Sequence, residues 1–453
     1  MRHPILSLLR GRRDAVRPAQ ARRGVSKVDA LLWPLRRGRP SMLLLHRYVG
    51  LVLAPLLVVI GLTGSISVFR VELDRMINPD FFVTAHESAA LPLGRIVETI
   101  RSRHPGQTLI AVDYRPAPHG TIHAYLSPAT DKAGRTLPDE FFLDPSDAKE
   151  LGSRVAEGCC LARRVLIPFI YRVHYSLAAG PTGLWIVGIT ALVWSLDCLN
   201  GILLTLPPVT PPWRRGFWPG WKKAWLIARP RSASRLFFDI HRAFGLWLWI
   251  LLLGMAVSGV ALSLGPQIFQ PVVRTFFPMA APVPPVPSPN GAHRLSLDEA
   301  ESRAYGFVVA HGVTARPAAL LLGTAPESAM FYLFSDDDSF PAGFGSPMIT
   351  VDRETGAIIQ SEFPPHGRLG DMILQFQDPF HSGRLAGLAG RILVCFSGVV
   401  TSLLSITGIL IWQRKRRARL EAARKVMSRQ APDPDRAPPN HTPCAQPNKP
   451  GRV

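Results

Sequence analysis

Charge is scarce where long apolar runs can form. Residues 48–69, 181–206, 243–269 and 392–412 are nearly free of Asp, Glu, Lys and Arg, in a 453-residue chain whose charged fraction is 19%. Each run is long enough to cross hydrocarbon as a helix of about 20 residues. Four such runs with basic flanks argue against a large soluble protein with four buried helices. Acids are scarce beside the runs. Segments 1–47, 207–242 and 413–453 hold 31 of the 52 basic residues and only 6 of the 32 acids. That pattern sets both termini and the middle loop on the cytoplasmic side, next to anionic lipid. It also removes the nucleic-acid reading that a net charge of +20 would otherwise suggest. No short leader with a small-residue cleavage site precedes the first run, so it is expected to remain as a signal anchor.

Cysteine is also scarce. Cys159, Cys160, Cys198, Cys395 and Cys444 show neither metal-type spacing nor a disulfide framework. Cys198 and Cys395 fall inside apolar runs as small fillers, and the adjacent Cys159 and Cys160 are expected to be inert thiols, with a strained neighbouring-pair disulfide as the alternative. There is no G-x-S-x-G, H-E-x-x-H or P-loop, so no nucleophile or general base is expected.

What is present is a motif used twice. "HRYVG" at His46–Gly50 opens the first run and "HRAFG" at His241–Gly245 opens the third. Eighteen residues after each histidine comes a glycine, Gly64 or Gly259, behind Thr63 or Ser258. "HYSLAAGPTG" at His174–Gly183 and "HSGRLAGLAG" at His381–Gly390 match as well, with glycine nine residues after histidine. Two spans per unit give both units the same orientation, a parallel repeat with its pseudo-axis along the membrane normal.

The expected fold class is a membrane all-α bundle of four transmembrane helices in tandem parallel repeat, with two periplasmic α+β domains. Along the chain this gives a basic cytoplasmic arm (1–40), span one (41–70) and periplasmic domain one (71–165). An outer-face histidine segment with span two (166–206) and a basic cytoplasmic loop (207–240) follow. Span three (241–269), periplasmic domain two (270–380), span four (381–412) and a basic disordered tail (413–453) complete it. Leu93–Arg103 reads as a helix, and "TLIAVDYRP" and "TIHAYLSP" as strands. In the second domain Ser296 with Glu299 reads as a helix cap, "AMFYLFSD" and "MITVDRETGAIIQ" as strands, and "DRETG" as a hairpin turn. The link "APVPPVPSPN" leads into that domain.

Of thirteen histidines, four recur at matched places: His46 and His241 at the cytoplasmic face, His174 and His381 at the outer face. Two imidazoles facing each other suit bis-histidine haem b, so two haems would lie at opposite faces and form an electron path across the membrane. Arg47 and Arg242 would neutralise propionates. Gly50, Gly61, Gly64, Gly245, Gly254 and Gly259 would leave room for a flat ring. Zinc wants three or four ligands. A proton relay would use intramembrane acids, of which there is only Asp197. A purely structural role, in which interfacial histidines cap helices, is the remaining alternative. Asp197 itself either serves a cofactor or pairs with Asn200 for packing. Trp213, Trp218, Trp221 and Trp225 in the basic loop fit interfacial anchoring, with a docking surface for a cytosolic reductase or reduced flavin as the sharper alternative.

The duplicated His–Arg–x–x–Gly spans and the two α+β insertions resemble the PepSY-associated transmembrane helix family over roughly residues 41–415. That family includes iron-regulated inner-membrane proteins and ferric-siderophore reductases. The resemblance implies an inner-membrane protein with periplasmic PepSY-like domains. It implies two haems, ligated by His46 and His241 and by His174 and His381, and metal binding through the haem iron alone. Electrons would pass from a cytoplasmic reductase, reduced flavin or quinol to a ferric siderophore or another periplasmic acceptor, an oxidoreductase activity. Two other functions stand beside it: a non-catalytic membrane protein whose PepSY-like domains bind or restrain a peptide or protein partner, and an uptake permease component. His174 lies before "GPTG" and is expected on a short helix outside the second span proper.

Overall fold

The computed structural model describes residues 27–82, 91–114, 120–160, 162–207, 215–228, 232–280, 294–313, 315–322, 328–334, 347–363 and 367–430. Residues 1–26 and 431–453, the proline-rich link 281–290 and Trp213 lie outside them. In chain order the helices are α1 (Lys27–Ser67), α2 (Arg70–Ile77), α3 (Leu93–Arg103), α4 (Leu166–Ser176), α5 (Gly180–Thr205) and α6 (Phe217–Lys222). Then come α7 (Ala233–Trp247), α8 (Trp249–Ser263), α9 (Gln270–Phe276), α10 (Leu297–Ala310), α11 (Leu369–Ser382) and α12 (Gly387–Gln430).

In hydrocarbon a backbone must satisfy its own N–H and C=O groups, which a helix does. Accordingly α1, α5 and α12 carry three apolar stretches of membrane-spanning length, and α7 with α8 makes a fourth if taken as one bent span. The chain is thus a multi-pass membrane protein. Val52, Leu196, Ile250 and Ile392 point out of the bundle, where lipid rather than water would meet them.

Over the stretch expected as span three, 241–269, the helix is broken: α7 and α8 meet at 71°. The indoles on either side of Leu248 are held by different segments. Trp247 Nε1 donates to the carbonyl of Trp225 at 3.1 Å, and Trp249 Nε1 to that of Cys198 at 3.0 Å. The expected disordered tail is corrected. α12 continues through 413–430, a stretch rich in the good helix formers Arg, Ala, Leu, Lys and Glu. In the same way α1 begins at Lys27, inside the expected arm.

α1 runs along α12 and α5 along α8, while α1 also meets α4 and α5, α7 meets α12, and α8 meets α11. No extended contact joins α1 to α7 or α4 to α11. Small residues set the closest approach: a Cβ at Gly61 would lie 2.6 Å from the Gly398 carbonyl oxygen, the kind of contact that drives helix pairing in lipid. Ser65 donates across it to the Cys395 carbonyl at 2.8 Å, and Ser402 to that of Val58 at 3.2 Å.

Among the described residues, β1 (Leu109–Asp113), β2 (Ile122–Leu126), β3 (Glu140–Leu143), β4 (Glu150–Arg154), β5 (Arg316–Leu322), β6 (Ser328–Phe334), β7 (Met348–Asp352) and β8 (Ile358–Glu362) form one antiparallel sheet. Its order, β4-β3-β2-β1-β5-β6-β7-β8, is two meanders joined at their first strands. The expected pair of separate domains is therefore corrected to one sheet domain. At the seam Val112 pairs with Leu320 and Asp113 with Ala319. Strand β5, "RPAALLL", carries a proline and no polar alternation, so nothing in its pattern announced a strand. α3 and α10 cover one face, and a single core holds Ile96, Ile100, Val112, Ala304, Val308, Leu320 and Phe331. Each of these side chains larger than alanine stabilises by about 1.5–3 kcal/mol when buried. The Ser296–Glu299 capping box is present at α10, and Gly356 at φ +70° closes the "DRETG" turn.

The other sheet face is tied to the bundle. Arg154 of β4 pairs with Glu140 of β3 at 2.6 Å and with Asp74 of α2 at 2.8 Å, all three buried. Arg391 at the start of α12 pairs with Glu72 of α2 at 2.6 Å. The sulfurs of the neighbours Cys159 and Cys160 lie against each other.

Candidate functional site

The four matched histidines come together as two pairs. His46 of α1 faces His241 of α7 with ring centres 6.2 Å apart, on the side of the bundle away from the sheet. His174 of α4 faces His381 of α11 at 6.0 Å, on the sheet side. The two histidines of each pair sit on helices with no extended contact between them, so each pair joins two otherwise separated helices. His174 and His381 both precede their spans. Tight corners follow them: Leu177 and Gly383 take positive φ, and Gly183 and Gly390 are pressed against the carbonyls of Ser176 and Gly383, where a Cβ has no room. These two glycines are the ones found nine residues after each histidine.

Each ring is fixed from one side by another helix. Nδ1 of His46 donates to Asp197 Oδ1 of α5 at 3.0 Å, and Nδ1 of His174 to the Ile60 carbonyl of α1 at 3.0 Å. Nδ1 of His241 donates to the Leu404 carbonyl of α12 at 2.9 Å, with Thr407 Oγ1 at 3.2 Å. His381 Nδ1 meets Ser258 Oγ of α8 at 2.7 Å, and that hydroxyl lies 3.1 Å from the Met255 carbonyl, to which it can donate. Carbonyl and carboxylate oxygens only accept, so Nδ1 carries the proton in His46, His174 and His241. In the neutral ring Nε2 is then left with its lone pair.

Glycine backs every ring. Gly64 lies against His174, Gly259 against His381, Gly201 against His46 and Gly408 against His241. The glycines eighteen residues after His46 and His241 thus serve the opposite pair. Gly201 and Gly408, which sequence reasoning missed, serve the pair at their own end. The offset from His174 to Gly201 equals that from His381 to Gly408, which was the signal available. Gly50 and Gly245 look onto open space, whereas Gly61 accommodates α12 and Gly254 the Phe380 ring. Arg242 is engaged by Asp239 at 2.9 Å and by the Lys223 and Leu226 carbonyls. Arg47 hydrogen-bonds none of the described residues. Asn200 donates to the Met42 carbonyl and leaves Asp197 to His46. In the loop Trp218 and Trp221 meet Phe217 edge-on or tilted, and Trp225 meets Trp221 edge-on.

Among the described residues no group of three or more His, Cys, Asp or Glu is arranged to hold a metal ion. What each site offers is two imidazoles from opposite sides.

Away from the spans, the sheet face that meets the bundle holds a second polar row. Asp113 and His123 are cross-strand partners, with Phe142 beyond and Tyr125 beside them. Burial, with Glu140 nearby, pushes the Asp113 carboxyl up to about 6. Burial, with Arg154 and Arg75, pushes His123 down to about 3.

No curated protein matches the chain. The family model described as the PepSY-associated TM region matches residues 43–415, from just before His46 to just beyond the apolar part of α12. The chain belongs to the PepSY-associated TM region family.

Proposed function

We propose that the chain conducts electrons across the inner membrane through two haem b groups, one per histidine pair, from a cytoplasmic donor to a periplasmic ferric siderophore or other ferric chelate. The paired spacing carries this reading. Two imidazoles holding one metal between them, each nitrogen at about 2 Å with the ring centre ~1.1 Å further back, would have their centres ~6.2 Å apart. The observed separations are 6.2 and 6.0 Å. The Nδ1 protons fixed by oxygen acceptors, and the lack of extended contact between α1 and α7 and between α4 and α11, support it further.

Haem iron bound at each pair would supply a one-electron couple near each face. The chain orients the rings, excludes water with the bundle, and keeps two similar arrangements at opposite ends. A tandem parallel repeat of the two halves would account for that likeness. Arg47, without a partner among the described residues, is the cation free to meet a propionate at the inner pair. Arg242 is already neutralised by Asp239. The basic residues at α12's end and in the middle loop support a cytoplasmic side there, with the sheet facing the periplasm. A donor of the reduced flavin or quinol class gives one electron per ferric ion, the ferric ion becomes ferrous, and no bond to the protein forms or breaks.

The test uses vesicles carrying the purified protein, with a reductant trapped inside and a ferric chelate outside. Ferrous iron should appear outside with wild type and fall to the protein-free rate with His46→Ala or His381→Ala. Equal rates in all three would reject electron transfer through the pairs.

A second reading has its own support. Among the described residues the sheet ends in β4 and β8, each paired on one side, and edge strands accept an added strand from a partner. Family membership and the lack of a three-ligand group among the described residues fit a peptide- or protein-binding membrane protein without any cofactor. Haem-free, folded protein that binds a periplasmic peptide would decide for it.

A further inference from the structure

The two pairs differ in one atom type. Three of the four Nδ1 atoms meet neutral oxygens: the Ile60 and Leu404 carbonyls and the Ser258 hydroxyl. His46 alone meets a carboxylate, Asp197. Counted from His174 and His381, Asp197 and Leu404 stand at the same offset, so a side-chain anion occupies in one half the place where the other half presents a backbone carbonyl. Asp197's side chain is 10% exposed and hydrogen-bonds no described residue except His46. Its charge is therefore directed at that ring, in a span where a carboxylate is costly to keep.

A carboxylate that accepts from Nδ1 makes the imidazole a stronger donor at Nε2 and favours the more oxidised metal. We infer that Asp197 is a positioning residue that sets the His46–His241 site to a lower midpoint potential than the His174–His381 site, so that electrons entering at the basic face run downhill toward the sheet. This rests on the haem reading above. The balance is one electron per transfer: the donor of the reduced flavin or quinol class is oxidised, the inner couple passes the electron to the outer, and one external ferric ion is reduced.

The experiment is a potentiometric titration of the purified, haem-loaded full chain, followed by the reduced-haem absorption. Wild type should titrate in two one-electron waves. Asp197→Asn should raise the lower wave, leave the upper one in place and so narrow the gap between them. Asp197→Glu should restore the wild-type spacing. If the Asn variant does not fold, Asp197→Ser, also a neutral acceptor, is read in the same way. Two haems with neither wave moved, or only the upper wave moved, would overturn the inference and leave the proposed function standing. Folded wild type that holds no haem would overturn both.

Discussion

Each of the four histidines is held at Nδ1 by a different helix and backed by a glycine, and the glycines differ in how much they can give. A Cβ at Gly64 would come within 2.7 Å of the His174 ring, whereas one at Gly201 would sit 3.7 Å from His46. Gly64→Ala should therefore displace His174 and lower haem content to one per chain, while Gly201→Ala should leave it at two. Haem absorbance per chain checks both. In the sheet, Asp113 is destabilising wherever it is ionised. Its pKa rises from the usual 3.8 to about 6 on folding, so the folded state binds more protons between those values. The cost is full above about 6 and vanishes below 3.8. Asp113→Asn should thus gain about 1–2 kcal/mol near neutral pH, allowing for screening at a half-buried site, and nothing near pH 4. Thermal unfolding at the two pH values measures it. His123 titrates with the opposite sense: lowered from 6.5 to about 3, it costs stability as pH falls below 6.5. At this scale the sequence revealed the four histidines because the motif is duplicated. It could not reveal that Asp197 meets His46, because that contact spans 151 residues and depends on which helices become neighbours.

Among the elements, the spans were legible from charge depletion alone, since lipid imposes that pattern on any helix that crosses it. The bend between α7 and α8 was not. It is flanked by two indole donors that find acceptors on separate segments, and Trp247 and Trp249 look like ordinary interfacial residues in the sequence. α4 and α11 were legible in part: His174 was expected on a short helix outside its span, whereas His381 was taken as the start of span four and lies on α11 instead. The buried Arg154–Glu140–Asp74 cluster joins sheet to bundle through α2. Arg154→Met should leave two buried carboxylates without their cation and cost about 3–5 kcal/mol, read as a lower thermal midpoint in detergent. Asp74→Asn, which keeps Arg154 paired to Glu140, should cost less. An equal loss in both variants would show that the cluster does not act through its charge.

For the whole molecule, the sheet joins the two halves that the sequence separates. Strands recognisable by alternation were found, but β5 lacks that signal, and without it two domains were expected where one sheet forms. Because both halves share a core, they should lose protection together. Leu320→Ala at the seam, a buried leucine worth about 2–5 kcal/mol, should raise amide exchange in β2 and β6 alike. Exchange raised in one half only would argue for two independent domains. The histidine pairs are likewise made by the whole bundle: each takes one ring from either half, and neither half alone completes a pair. The haem content of purified, folded, haem-replete protein is the most direct measurement of this arrangement. Two haem b per chain with low-spin bis-imidazole spectra are predicted, falling to one in His46→Ala and to one in His174→Ala. No haem in wild type, or two still present in both variants, would contradict it.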